Sequence, residues 1–224
     1  MERPTAAAFM RIYPLIGPAL LGAAAAAALA ANEAALGWAA PAAAWGLALG
    51  LDALTGRIRG RSALASDGRA AVWLATLSVF GSALYEVVNQ DWLALWAWVG
   101  FPNNSMSRYV SLGLTQAARL PLAAAAAVLF AGGSALGRPA LLYPAVFAGG
   151  GVFAALEIAL ESIGAGRRLA LFEPYWIAFP AEALLITGIE TAALWLLARQ
   201  AARLLALPFP GAVESPLHSS IKLT

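Results

Sequence analysis

Cysteine is absent from the chain, and histidine occurs once, as His218 in a polar stretch near the end of the sequence. Disulfides, thiolate nucleophiles and cysteine-ligated metal centres are therefore excluded. One histidine outside the apolar segments cannot supply a bis-histidine haem anchor, a zinc site or a Ser-His relay in a core. We accordingly expect no haem, zinc or iron–sulfur cofactor and assign no metal ligands; a magnesium or calcium site made of carboxylates alone stays open.

Charged residues are also scarce. They make up 12% of the chain, against about 25% in ordinary soluble domains. The net charge of +2 is too small for the dense basic patch that nucleic-acid binding requires. The sequence therefore predicts neither a soluble domain nor a nucleic-acid partner.

Long apolar runs make up most of the sequence. Hydrophobic residues reach 61%, with a mean hydropathy of +0.74, and a run of about 20 apolar residues spans a bilayer core as a helix. The runs are 12–31, 35–54, 70–89, 114–135, 140–161 and 175–198. They predict an all-α, polytopic integral membrane helix bundle with about six transmembrane helices. Residues 1–207 form one transmembrane domain and 208–224 a flexible polar tail.

Arginine placement predicts the orientation of the spans. Arg57, Arg59, Arg61 and Arg69 fall between the second and third runs, and basic loops stay on the cytoplasmic side. With that loop inside, both termini are cytoplasmic. We expect a multi-pass protein of a bacterial-type cytoplasmic (inner) membrane, with the lipid bilayer as its first partner.

Glutamates inside apolar runs are the most informative residues. A charged side chain at the centre of a spanning helix costs about 2.5–3.5 kcal/mol on insertion scales, so such residues usually face the bundle interior or a partner. The candidates for acid–base chemistry are Glu182, Glu157 and Glu190. By the predicted topology, six of the 12 acidic residues and five of the eight tryptophans lie in the outer half. The expected ligand-binding residues there are Trp96, Trp98, Trp176, Arg119 and Glu86.

Arg119 has two interpretations. Its side chain either extends to the outer interface along the apolar surface or pairs with a pocket carboxylate. Pro121 follows in the same run, where a proline early in a helix frees few hydrogen bonds. Gly149, Gly150 and Gly151, in the fifth run, favour close helix packing rather than a phosphate loop, which would need a lysine after it.

One family resemblance involves the start of the sixth run. Trp176 followed by Pro180-Ala181-Glu182-Ala183 resembles the Pro-x-Glu-Glu motif that follows a tryptophan in small membrane lycopene-cyclase domains. The likeness covers about 30 residues, and Ala183 stands where the family has its second glutamate. The resemblance implies a membrane enzyme that protonates a polyene with a carboxylate.

The residues leave several functions open. The first is a lipid- or isoprenoid-like ligand pocket near the outer leaflet, lined by buried carboxylates and tryptophans, of which the cyclase-like enzyme is the most specific form. The second is a non-catalytic subunit of a larger membrane complex, contacting its partners through the tail and residues 91–109. The third is a transporter subunit with Glu182 and Glu190 on a proton or cation path. We expect no clearly interrupted helix, which weighs against transport.

Overall fold

The computed structural model describes residues 4–29, 33–60, 62–65, 68–88, 106–131, 143–152, 155 and 180–204. These residues are 95% helical and include no strand, so the all-α prediction is confirmed for them. The helices are α1 (Pro4–Leu29), α2 (Glu33–Arg59), α3 (Gly68–Val88), α4 (Met106–Ala117), α5 (Arg119–Ala131), α6 (143–152) and α7 (Pro180–Leu204).

The helices follow the predicted apolar runs but differ at their ends. α2 continues past the apolar run to Arg59, because arginine has good helix propensity and favours a helix C-terminus. α7 is described from Pro180 and extends past the predicted end at 198 to Leu204. Proline is favoured in the first helical turn, where its missing N–H would have no partner anyway. Hydropathy thus located the apolar parts of the helices and not their ends.

Alanine and glycine let the helices approach closely. A Cβ atom added to Gly17 of α1 would lie 2.5 Å from the Cα atom of Gly50 in α2. A Cβ atom added to Gly150 of α6 would lie 2.6 Å from the Thr191 hydroxyl of α7, and Gly149 is equally close to Ala123 of α5. The predicted packing role of Gly149 and Gly150 is confirmed, whereas Gly151 faces open space.

α5 lies at the centre of the described helices. Every residue from Leu120 to Val128 is buried. Leu120 and Val128 belong to the main core cluster with Leu74 of α3 and Trp195 of α7, and Leu122 packs in a second cluster with residues of α2. The residues at the start of α5 are therefore surrounded by the other helices.

One described stretch is both long and apolar enough to cross a membrane. Tyr109–Phe130 has 22 residues and a mean hydropathy of 1.4, with 72% of the stretch buried. Ile12–Ala27 and Gly68–Leu84 are apolar but shorter. The prediction of about six spans therefore stays a prediction.

Candidate functional site: a buried ion pair at a helix break

Most of the predicted site residues cannot be placed. Trp96, Trp98, Glu157 and Trp176 lie outside the described residues. Glu86 lies in α3 and Glu182 in the first turn of α7, but their side chains are also outside the description. The predicted tryptophan-lined pocket and its catalytic carboxylates therefore stay predictions.

Arg119 and Glu190 form an ion pair inside the bundle. An Nη1 hydrogen of Arg119 is donated to Oε1 of Glu190, and the two side chains are 6% and 10% exposed. Arg119 is the first residue of α5, and Glu190 lies two residues before the middle of α7. The interpretation in which Arg119 extends to the outer interface is thus wrong. The structure shows the alternative, in which Arg119 pairs with a carboxylate.

The apolar stretch Tyr109–Phe130 is interrupted beside Arg119. α4 ends at Ala117 and α5 begins at Arg119, with Ala118 in a turn between them. The amide of Ala118 bonds the Thr115 carbonyl at 3.2 Å, a tighter i→i+3 pattern than that of an α-helix. Pro121 has no N–H to donate to the carbonyl of Ala117. The expectation of no interrupted helix was wrong, and Pro121 was the sequence signal that could have shown it.

A hydroxyl from α3 takes the place of a missing backbone bond at this break. Ser78 Oγ donates to the Gln116 carbonyl at 2.6 Å and accepts the Leu120 amide at 3.4 Å. In an uninterrupted helix that carbonyl and that amide would bond each other. Ser78 is the middle residue of α3 and is fully buried. The break is therefore stabilised by tertiary contact rather than exposed to solvent.

Further polar contacts lie at the same level. The Ser82 hydroxyl donates to Oε1 of Gln116 at 3.2 Å, and Nε1 of Trp45 in α2 donates to the Leu114 carbonyl at 2.9 Å. We call Ser78, Ser82, Gln116, Arg119 and Glu190 the mid-helix polar layer. It joins the middle parts of α3 and α7 to the end of α4 and the start of α5.

A second buried carboxylate was missed by the sequence analysis. Asp52 of α2 is fully buried and accepts a hydrogen bond from the Tyr13 hydroxyl at 2.7 Å and one from the Ser62 hydroxyl. The amides of Ala63, Leu64 and Ala65 also donate to it, at 2.6, 3.1 and 3.4 Å. A single acidic residue within the second apolar run was the signal that could have found it.

The two carboxylates suit different tasks. Hydroxyls and backbone amides donate to Asp52, so Asp52 connects the 62–65 segment to α1 and α2. Glu190 is instead paired with one cationic side chain, that of Arg119. No group of three potential metal ligands occurs among the described residues.

Comparison with known proteins adds no further assignment, because no protein family, curated protein or solved structure matches this chain.

Proposed function

We propose that the chain is a multi-pass integral membrane protein, with about six spans and both termini cytoplasmic, in which the mid-helix polar layer forms a proton-responsive transport site. The main observation in support of this proposal is the buried Arg119–Glu190 pair at an interrupted helix. Each part of the proposal has its own support.

Membrane placement is supported by the distribution of polarity. Large apolar side chains point outward on several helices, including Leu15 at 64%, Phe80 at 70% and Leu197 at 59% exposed. Asp52, Ser78 and Arg119 are buried. Soluble monomers rarely expose such extensive apolar surface, whereas ionisable residues in membrane proteins face the bundle interior. By length alone, α1, α2 and α7, with 26, 27 and 25 residues, could also cross, since about 20 residues suffice.

Transport is supported by the combination of break and charge. Irregular backbone at membrane depth is tolerated where protein buries it, and interrupted helices often carry the ion and substrate sites of transporters. A proton that neutralises Glu190 would weaken its pairing with Arg119. α4 and α5 meet at Ala118, next to Arg119. Weakening the ion pair would therefore allow the angle between these two helices to change.

A lipid- or isoprenoid-like molecule is the second candidate ligand. Glu182 lies eight residues before Glu190 in α7, directly after the segment with Trp176. A molecule entering beside the start of α7 would reach that end of the helix before the Arg119–Glu190 pair. Mass spectrometry of molecules retained by the purified protein tests this candidate. A retained isoprenoid that is lost in Glu182→Gln supports it, and a preparation with no such molecule contradicts it.

Membrane topology is tested by single cysteines, because the chain has none of its own. Cysteines placed at Ser66, Ser105 and Ser220 should react with a membrane-impermeant reagent from outside at position 105 only. Labelling at 66 would contradict the orientation. Extraction of the protein from cells without detergent would contradict membrane placement altogether.

Proton exchange is tested in proteoliposomes that contain a trapped pH-sensitive dye. A potassium diffusion potential should drive proton flux above that of protein-free vesicles. The flux should fall to the protein-free level in the double variant Arg119→Gln/Glu190→Gln, which removes both charges together. Tyr13→Phe, which removes a hydroxyl outside this layer, is the control and should retain most of the flux. Equal flux in the double variant and the wild type would contradict the transport proposal.

A further inference from the structure

Arginine-bearing segments meet at one end of the bundle. Ala63, Leu74, Val128 and Ala202 belong to one packed cluster. They come from the segment after α2, the first part of α3, the end of α5 and the end of α7. These contacts place the C-termini of α2, α5 and α7 beside the N-terminus of α3. This end lies opposite the start of α4.

Five arginines of the described residues lie at this end. Arg57, Arg59, Arg69 and Arg203 are exposed and Arg199 is half-buried; together they are called the arginine end. Arg59 also caps α5, donating from Nε and Nη2 to the Leu129 carbonyl at 3.1 and 2.9 Å.

Acidic residues are few beside these arginines in the sequence: residues 56–70 include four arginines and one aspartate, Asp67. The one described acidic residue near these arginines is Asp52, which is fully buried and accepts its hydrogen bonds from Tyr13, Ser62 and the 63–65 amides. By sequence, basic residues therefore outnumber acidic ones at the arginine end.

Apolar side chains lie directly beside these arginines. Leu54 and Ile58 of α2 are 45% and 60% exposed, and Val72 of α3 is 68% exposed. Ile58 stands between Arg57 and Arg59 in sequence, and Val72 is three residues after Arg69. Charge next to an exposed apolar strip matches a molecule with an anionic head and a hydrocarbon tail.

We propose that the arginine end binds anionic phospholipid, with guanidinium groups on the lipid phosphate and the acyl chains along α2 and α3. The inference rests on the proposed membrane placement. Arginine forms paired hydrogen bonds with phosphate oxygens, and basic clusters at the cytoplasmic ends of spanning helices attract anionic lipids. Free phosphate would use the same arginines but would gain nothing from Ile58 and Val72.

Native mass spectrometry of the full chain in mild detergent tests this site. Titration with dioleoyl phosphatidylglycerol should give tighter binding of the first lipid than dioleoyl phosphatidylcholine. Each arginine lost is expected to weaken phosphatidylglycerol binding about fivefold. Arg57→Gln/Arg203→Gln should therefore weaken it by about 25-fold, because neither residue belongs to the Arg59 cap.

Arg108→Gln supplies the matched control, since it removes the same charge near the start of α4, at the opposite end. It should leave phosphatidylglycerol affinity unchanged, while Arg203→Gln alone lowers it. Equal affinity for the two lipids, or an equal loss in Arg108→Gln and Arg203→Gln, would overturn the proposal. Displacement of phosphatidylglycerol by millimolar inorganic phosphate would also overturn it, in favour of free phosphate. Failure here with the protein still in membranes leaves the proposed function standing.

Discussion

Asp52 and Glu190 are both acidic residues in helix interiors, yet they are accommodated by different partners. Asp52 accepts five hydrogen bonds from hydroxyls and backbone amides within one end of the bundle. Glu190 pairs with the guanidinium of Arg119, 71 residues away in sequence, at the middle of the bundle. The first carboxylate connects a local segment to two helices, and the second connects two distant helices.

The difference in partners separates a structural carboxylate from a responsive one. The backbone amides that donate to Asp52 belong to residues 63–65, outside α4 and α5. A rearrangement of α4 and α5 would therefore leave these donors in place. The Glu190 interaction depends on one side chain at a helix break, and any change in charge there alters the contact between α5 and α7. We therefore expect Asp52 variants to affect folding alone and Glu190 variants to affect folding and function.

The largest effect is expected for Glu190→Gln. Removing one partner of a buried ion pair leaves the Arg119 charge without its counterion, and such changes cost about 3–5 kcal/mol. Unfolding in detergent measures the loss. Arg119→Gln/Glu190→Gln should recover most of the stability, since no buried charge is left. A Glu190→Gln protein as stable as the wild type would show that the pair contributes nothing.

Asp52→Asn should cost less, about 2 kcal/mol. The amide keeps one acceptor oxygen but turns an NH₂ group toward hydroxyl and amide donors, so some of those donors lose their partner. No arginine substitution should restore this variant, because the described partners of Asp52 are hydroxyls and backbone amides rather than a cation. Rescue by Arg57→Gln would contradict the distinction between the two carboxylates.

Ser78→Ala should cost about 1–2 kcal/mol, because the Gln116 carbonyl and the Leu120 amide would lose their bridging hydroxyl. Hydrogen exchange at the Leu120 amide should become faster, while exchange in the middle of α2 stays unchanged. Ser82→Ala, which removes a longer side-chain contact, should have a smaller effect. Unchanged exchange at Leu120 would contradict the bridging role.

Tyr13→Phe should have the smallest effect, about 1 kcal/mol. It removes one hydroxyl from Asp52 and leaves the Ser62 hydroxyl and three amides as donors. Chemical denaturation of this variant and of Asp52→Asn measures and compares their losses in the free energy of unfolding. A loss as large as that of Asp52→Asn would mean that Tyr13, rather than the 62–65 segment, dominates the Asp52 contacts.

The candidate site was only partly accessible to sequence reasoning. Glu190 and Arg119 were both recognised as expensive charges in apolar runs, but the sequence offered several carboxylates and gave no means of choosing among them. Pro121 was noticed and interpreted as an ordinary early-helix proline. The hydroxyl of Ser78 that stabilises the break comes from another helix, so its role has no local pattern.

Composition and hydropathy by themselves determined the helical class and the approximate positions of the helices, because apolar runs of this length satisfy their backbone polar groups best as helices. They also identified the charges that must find partners. Tertiary structure alone decided that Glu190 meets Arg119, that Ser78 bridges the break beside them, and that Asp52 meets the 62–65 amides. The physical reason is that such contacts depend on which helix faces meet and at what height. Helix packing sets both, and residues distant in sequence determine that packing.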